Sequence, residues 1–84
     1  MRIILGKHNW TNELYAYDLG KKGLPKSGDY AIVQNRGDLA MVKVIMAGHI
    51  DDEYQKIITG HEKVKCKVLA IIPKAFIEKY GGAE

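Results

Sequence analysis

The sequence predicts a mainly β fold: a small antiparallel barrel of about five strands, SH3-like or alternatively OB-like, with a short C-terminal helix. Three observations support this prediction. The 84-residue chain is divided by Gly, Pro and Asn into short apolar segments. Residues 63–72 alternate between apolar and polar side chains for most of their length, as strands do. No segment provides the long crossover helix that joins parallel strands.

The N-terminal quarter of the chain predicts two strands. Residues 2–5 form an apolar run that ends at a glycine, and residues 7–12 are polar apart from Trp10 and predict a loop. Residues 13–19 are rich in aromatic and apolar side chains, which favour a pleated surface. Residues 20–28 contain three glycines and a proline, and this composition is typical of a loop.

The middle of the chain predicts a hairpin. Residues 30–34 and 39–47 are strand segments, and the Asn-Arg-Gly-Asp sequence at residues 35–38 favours the tight turn between them. Lys43 and Ile45 are expected on the outer face of the second strand. The inner face is expected to contribute four core side chains, which are Val33, Val42, Val44 and Met46.

The segment after Gly48 predicts a connector, followed by a short element that is either a strand or a helix. Three acidic residues at positions 51–53 suggest a solvated connector. Residues 54–59 are compatible with either a short strand or a helical turn, which ends at Gly60.

The last strand and the C-terminal helix are predicted from a change of period. Along residues 63–72 one face is expected to carry Val64, Cys66, Val68, Ala70 and Ile72, with Lys65 and Lys67 opposite. Pro73 suits the first turn of a helix, so we expect a helix over residues 73–80. Its apolar stripe of Phe76, Ile77 and Tyr80 is expected to cover an open edge of the sheet.

Composition bounds the class of protein. Residues 1–84 are expected to form one domain, and the net charge of +3 permits an anionic partner without requiring one. The single cysteine allows no internal disulfide, and the sequence has neither a signal-peptide pattern nor an apolar run near the ~20 residues of a membrane span. We therefore expect a soluble cytoplasmic protein that does not contact a membrane.

The sequence offers no assignable catalytic group. Catalysis by a nucleophile needs a base and a group that orients the base, and Cys66 and the three histidines show no such pattern. His49, Asp51, Asp52, Glu53 and His61 match no closed metal-site spacing. We therefore expect a protein that is not an enzyme and needs no metal or cofactor.

A binding function is the expectation that follows. Small barrels bind single-stranded nucleic acid by combining basic side chains with exposed aromatic rings. The candidate contacts for nucleic acid or another partner are Tyr30, Arg36, Lys43, Lys65 and Lys67. The first hypothesis, however, is a protein-interaction module that uses an edge strand or the helix at residues 76–80 to bind a partner, with a second copy of the chain as one candidate.

One part of the chain has a family resemblance. ELYAYDL at residues 13–19 is followed by a loop, by KSGDYAIV at residues 26–33 and by LAMVKV at residues 39–44. Over about residues 13–46 this order resembles small SH3-like barrel proteins encoded by phages and prophages of Gram-positive bacteria, many of which have no assigned function. It is also similar to the DNA-end-binding barrel of primosomal helicases. The resemblance implies an SH3-like barrel and an accessory protein of phage or prophage origin.

Overall fold

Two hairpins and one further strand form an antiparallel sheet in the computed structural model, which describes residues 2–35, 37–60 and 66–81. Within those ranges the sheet has five strands in the order β2-β1-β4-β3-β5. The predicted mainly β class is confirmed. The elements are β1 (Arg2–Lys7), β2 (Leu14–Asp18), β3 (Tyr30–Asn35), β4 (Asp38–His49), α1 (Asp52–Thr59), β5 (Val68–Ile72), α2 (Lys74–Phe76) and a π-helical turn (Ile77–Gly81).

The two edge strands of the sheet, β2 and β5, are linked by one contact between the end of β2 and the residues just before β5. A parallel bridge pairs Asp18, at the end of β2, with Lys67, just before β5, and the Asp18 N–H donates to the Cys66 carbonyl at 2.9 Å. The predicted hairpin turn between β3 and β4 is confirmed, since Asn35 pairs with Asp38 and Gly37 has a φ of 88°. No helix in the described ranges is long and apolar enough to cross a membrane.

Strand β1 is buried on both faces, which explains its continuous apolar run. Ile4 lies in the main core, whereas Ile3 and Leu5 lie in a second cluster with Ala16. Ile58 of α1 packs against this second cluster and covers that side of β1. A strand that is covered on both faces carries apolar residues consecutively rather than in alternation.

The main core lies on the inner face of the sheet. Val33, Val42 and Val44 are fully buried there, as predicted. The buried members of this core are Ile4, Tyr17, Leu19, Ala31, Val33, Val42, Val44 and Val68. The prediction that β1 ends at Gly6 is wrong. Gly6 lies within the strand and directly against Val42.

The prediction that Met46 belongs to the core is wrong. Leu5 pairs with Met46 and Gly6 pairs with Val44, so Ile45 is the extra residue of a β-bulge in β4. A bulge shifts the alternation of side chains by one position. Met46 is consequently 40% exposed, and Ala47 packs on the core instead.

A second bulge corrects the predicted faces of β5. Ile32 pairs with Ala70 and Val33 pairs with Val68, which leaves Leu69 as the extra residue. Val68 is buried and Cys66 packs on the core, as predicted, but Ala70 is exposed and Ile71 takes the inner position. Val64 lies outside the described residues.

Residues 51–53, expected to form a connector, begin a helix instead. The Asp51 carboxylate accepts a hydrogen bond from the Glu53 N–H at 3.1 Å, and acidic residues favour the positive end of a helix dipole. Gly60 ends α1 in the left-handed conformation with a φ of 73°. The open choice at residues 54–59 is therefore resolved in favour of a helix.

The C-terminal helix follows Pro73, as predicted, and Asp29 forms a hydrogen bond with its first turn. The two carboxylate oxygens of Asp29 accept from the Lys26 and Lys74 N–H groups, each at 2.9 Å. The expectation that the apolar stripe covers the sheet is wrong for Phe76 and Tyr80. Both rings are largely exposed and lie against each other, with centroids 4.8 Å apart.

Candidate functional site: a basic aromatic groove

A groove of about 690 Å³ is lined by residues of β1, β3 and β4 and of the loop that follows β1. Its wall combines two lysines, two large aromatic rings, two polar side chains and three apolar ones. These residues are Lys7, Lys43, Trp10, Tyr30, Asn9, Asp38, Leu39, Ala40 and Met41.

Strand register places the centre of the groove. Lys43 pairs directly with Tyr30 of β3 on one side and with Lys7 of β1 on the other. Because Val42 and Val44 point into the core, Lys43 between them points outward. Successive strands therefore present a tyrosine and two lysines in one row across the sheet.

The lysine pair is electrostatically unusual. Like charges that face each other across antiparallel strands are destabilising. The Lys7 Nζ donates weakly to the His8 carbonyl at 3.4 Å, and neither lysine forms an ion pair with an acidic side chain of the described residues. Among the described residues that line the groove, Asp38, beside the hairpin turn, is the only one with a carboxylate. The row accordingly presents positive charge to an incoming ligand.

Trp10 projects into solvent from the loop after β1 and is supported from beneath by a buried histidine. Its side chain is 69% exposed, and its ring stacks on His8 with centroids 4.2 Å apart and planes 28° apart. His8 is only 2% exposed and lies against the edges of Tyr15 and Tyr17. One face of Trp10 is thus held by the protein, which leaves the other available for a ligand.

Burial sets the protonation of this support. It lowers the pKa of His8, so the imidazole is neutral at pH 7, and it raises the pKa of Tyr17 to about 12. The His8 Nε2 and the Tyr17 hydroxyl share a hydrogen bond of 2.7 Å. The His8 Nδ1 has no hydrogen-bond partner among the described residues, which makes the imidazole poorly suited to carry a charge there.

The sequence-predicted contacts are only partly brought together. Tyr30 and Lys43 are neighbours in the groove. Lys67 lies at the other end of β3, where its carbonyl accepts from the Gln34 N–H at 3.4 Å, and it does not line the groove. Arg36 and Lys65 lie outside the described residues.

Sequence reasoning missed Lys7. The sequence predicts that the strand ends at Gly6 and that Lys7 belongs to a loop, so it does not align Lys7 with Lys43. Extending the predicted first strand by two residues would have identified Lys7, because Lys7 is then the last residue of that strand.

The remaining chemistry-bearing residues form no second site in the described residues. No group of three or more His, Cys, Asp and Glu side chains there is arranged to hold a metal ion. Asp51 is occupied in capping α1, and His61 lies outside the described ranges.

Comparisons with protein-family models, with curated proteins and with solved structures found no match to this chain. The resemblance of residues 13–46 to phage-encoded SH3-like barrels therefore stays a prediction.

Proposed function

We propose that the protein binds single-stranded nucleic acid in the groove formed by Lys7, Trp10, Tyr30 and Lys43, without catalysis. The observation that carries this proposal is the row of two lysines, neither of which forms an ion pair with a described acidic side chain, between two aromatic rings. Base stacking on aromatic rings and phosphate contacts from lysines are the two interactions that bind single strands without sequence preference.

The proposed scaffold is a small barrel of the SH3-like type. The bridge between Asp18 and Lys67 supports it, because this contact joins the two edge strands of the sheet. In such a barrel the inner face is filled by the main core, so a ligand binds outside, on β1, β4 and β3. We also propose that the protein is an accessory protein of a phage or prophage, because residues 13–46 resemble SH3-like barrels encoded by phages.

The expected affinity follows from the number of contacts. Each base stacked on an aromatic ring contributes about 1–3 kcal/mol. Two rings and a modest positive charge predict a dissociation constant of about 10 µM to 1 mM at low salt. Binding is expected to weaken as salt is raised, since the lysines displace counterions from the phosphates.

The test is a titration with a fluorescently labelled single-stranded oligonucleotide, followed by anisotropy at low and moderate salt. Trp10→Ala is expected to weaken binding about 5- to 150-fold, the equivalent of one stacking contact. The matched control is Tyr54→Ala, which removes an exposed aromatic ring on α1 away from the groove. Binding that is absent at about 50 mM salt, or that Trp10→Ala leaves unchanged, contradicts the proposal.

A second candidate function is self-association through the same outer face of the sheet. Leu39 is 67% exposed and Met41 is 48% exposed, which gives the groove an apolar side. A second copy on this face would cover the groove and compete with nucleic acid. Light scattering decides between them: a monomer at high concentration that still binds oligonucleotide excludes the dimer, whereas Leu39→Ser dissociating a dimer supports it.

A further inference from the structure

We infer that the groove holds one phosphate flanked by two bases, so that a dinucleotide is its complete ligand. This inference rests on the proposed function and specifies the unit that is bound. It follows from the spacing of the lysine pair, from the positions of the two rings and from where the groove ends.

The lysine pair is spaced for a single phosphate. Directly opposite residues of antiparallel strands have Cβ atoms about 4.5–5.5 Å apart, and Lys7 and Lys43 are such a pair. Both ammonium groups lie on flexible four-carbon stems, so both reach the same anion. One phosphate between them removes the like-charge repulsion that the sheet otherwise carries.

The aromatic rings lie on opposite sides of that phosphate position. Tyr30 is next to Lys43 on the β3 side. Trp10 stacks on His8, and His8 lies against Tyr15 of β2, the strand on the other side of β1 from β4. Each ring offers a stacking surface to the base on its own side. The order across the groove is therefore ring, lysine pair, ring, which matches base, phosphate, base.

The ends of the groove limit the ligand to this unit. Asp38 lies on the wall beside the hairpin turn and repels a further phosphate. Lys67, the described lysine near that end of β3, does not line the groove. The volume of about 690 Å³ is also that of a compact small-ligand site rather than of a channel along a strand.

The experiment is a length series of oligothymidylates from the mononucleotide to the octamer, measured by the quenching of Trp10, the only tryptophan of the chain. We expect the dinucleotide to bind about 5- to 150-fold more tightly than the mononucleotide. Beyond that length the association constant should rise no faster than the number of dinucleotide steps. For the octamer, the slope of log K against log salt should be about −0.7, the value for one phosphate on a single strand.

Variants and alternative outcomes separate this inference from the proposed function. Lys7→Gln is expected to flatten the salt slope of the dinucleotide, whereas the control Lys67→Gln leaves it unchanged. Affinity that keeps rising steeply to the octamer, with a slope beyond about −2, overturns the dinucleotide limit but keeps the nucleic-acid function. Absence of binding at every length overturns both, and so does a preference for a peptide over all the oligonucleotides.

Discussion

Replacing Gly6 by alanine tests how β1 is held against β4. A Cβ atom at Gly6 would lie 2.7 Å from the Val42 Cγ2 and 3.1 Å from the Val42 Cβ. Val42 is fully buried in the main core, so it has no free space into which to move. The added methyl group must push the two strands apart at the residue next to Lys7.

The expected cost is that of overpacking a dense core, about 1–3 kcal/mol of unfolding free energy. For a domain of this size, a loss of 1 kcal/mol lowers the melting temperature by roughly 4–8 °C. Gly6→Ala is therefore expected to lower it by about 4–24 °C. Because Lys7 follows Gly6, nucleotide binding should weaken in the same variant even where the protein is folded.

The assay is urea denaturation of a double-mutant cycle with Val42→Ala. Val42→Ala alone removes two buried methyl groups and is expected to cost about 2 kcal/mol. It also opens the space that the new Cβ needs, so the double variant should be less destabilised than the sum of the two changes.

The matched control is Gly23→Ala, because a Cβ there meets nothing within 4 Å. This control is expected to be neutral or to stabilise by about 0.4–1 kcal/mol. A Gly6→Ala variant whose unfolding free energy changes by less than about 0.5 kcal/mol, or whose cost adds fully to that of Val42→Ala, would contradict the close contact between Gly6 and Val42.

Three further predictions concern the support of Trp10 and the start of the C-terminal helix. Tyr17→Phe removes the hydroxyl that is hydrogen-bonded to the buried His8. Chemical denaturation should show a loss of about 1–3 kcal/mol of unfolding free energy, with a change in Trp10 emission, and an unchanged unfolding free energy would mean that this hydrogen bond does not stabilise the protein. Burial lowers the pKa of His8, so the unfolded chain binds the proton at a higher pH than the folded protein does, and the unfolding free energy should fall as the pH drops below about 6.5. His8→Phe should abolish that fall, and an equal fall in both proteins would mean that another group causes it. Asp29→Asn should lower the unfolding free energy at pH 7, because hydrogen bonds from backbone N–H groups, including that of Lys74, lower the pKa of the Asp29 carboxyl. This difference should shrink in acid as Asp29 of the parent protein is protonated, and a difference that stays constant with pH would contradict the prediction.

Local pattern was sufficient to predict much of the sheet. The alternation around Val42 and Val44 and the turn at residues 35–38 depend on neighbours in sequence, and both predictions are confirmed. The same alternation predicts Lys43 on the outer face, and Lys43 lies between the buried Val42 and Val44. The change of period at Pro73 likewise located the C-terminal helix.

Features that depend on distant partners were not predictable in this way. The bulge at Ile45 arises where β4 pairs with β1, some forty residues earlier in the chain, and it turns Met46 outward. The stacking of Trp10 on His8 depends on the contact between His8 and Tyr17 of β2. The role of Lys7 likewise requires its register opposite Lys43, which no local pattern contains.

The most direct test of the nucleic-acid proposal is a titration of ¹⁵N-labelled protein with a thymidine dinucleotide, followed by two-dimensional NMR. The proposal predicts that the largest shift changes occur at the Trp10 indole N–H and at the backbone amides of Lys7, Tyr30 and Lys43. It also predicts that these four signals share one dissociation constant. Unchanged spectra, or changes centred on Lys67 or on the C-terminal helix, would contradict the proposal.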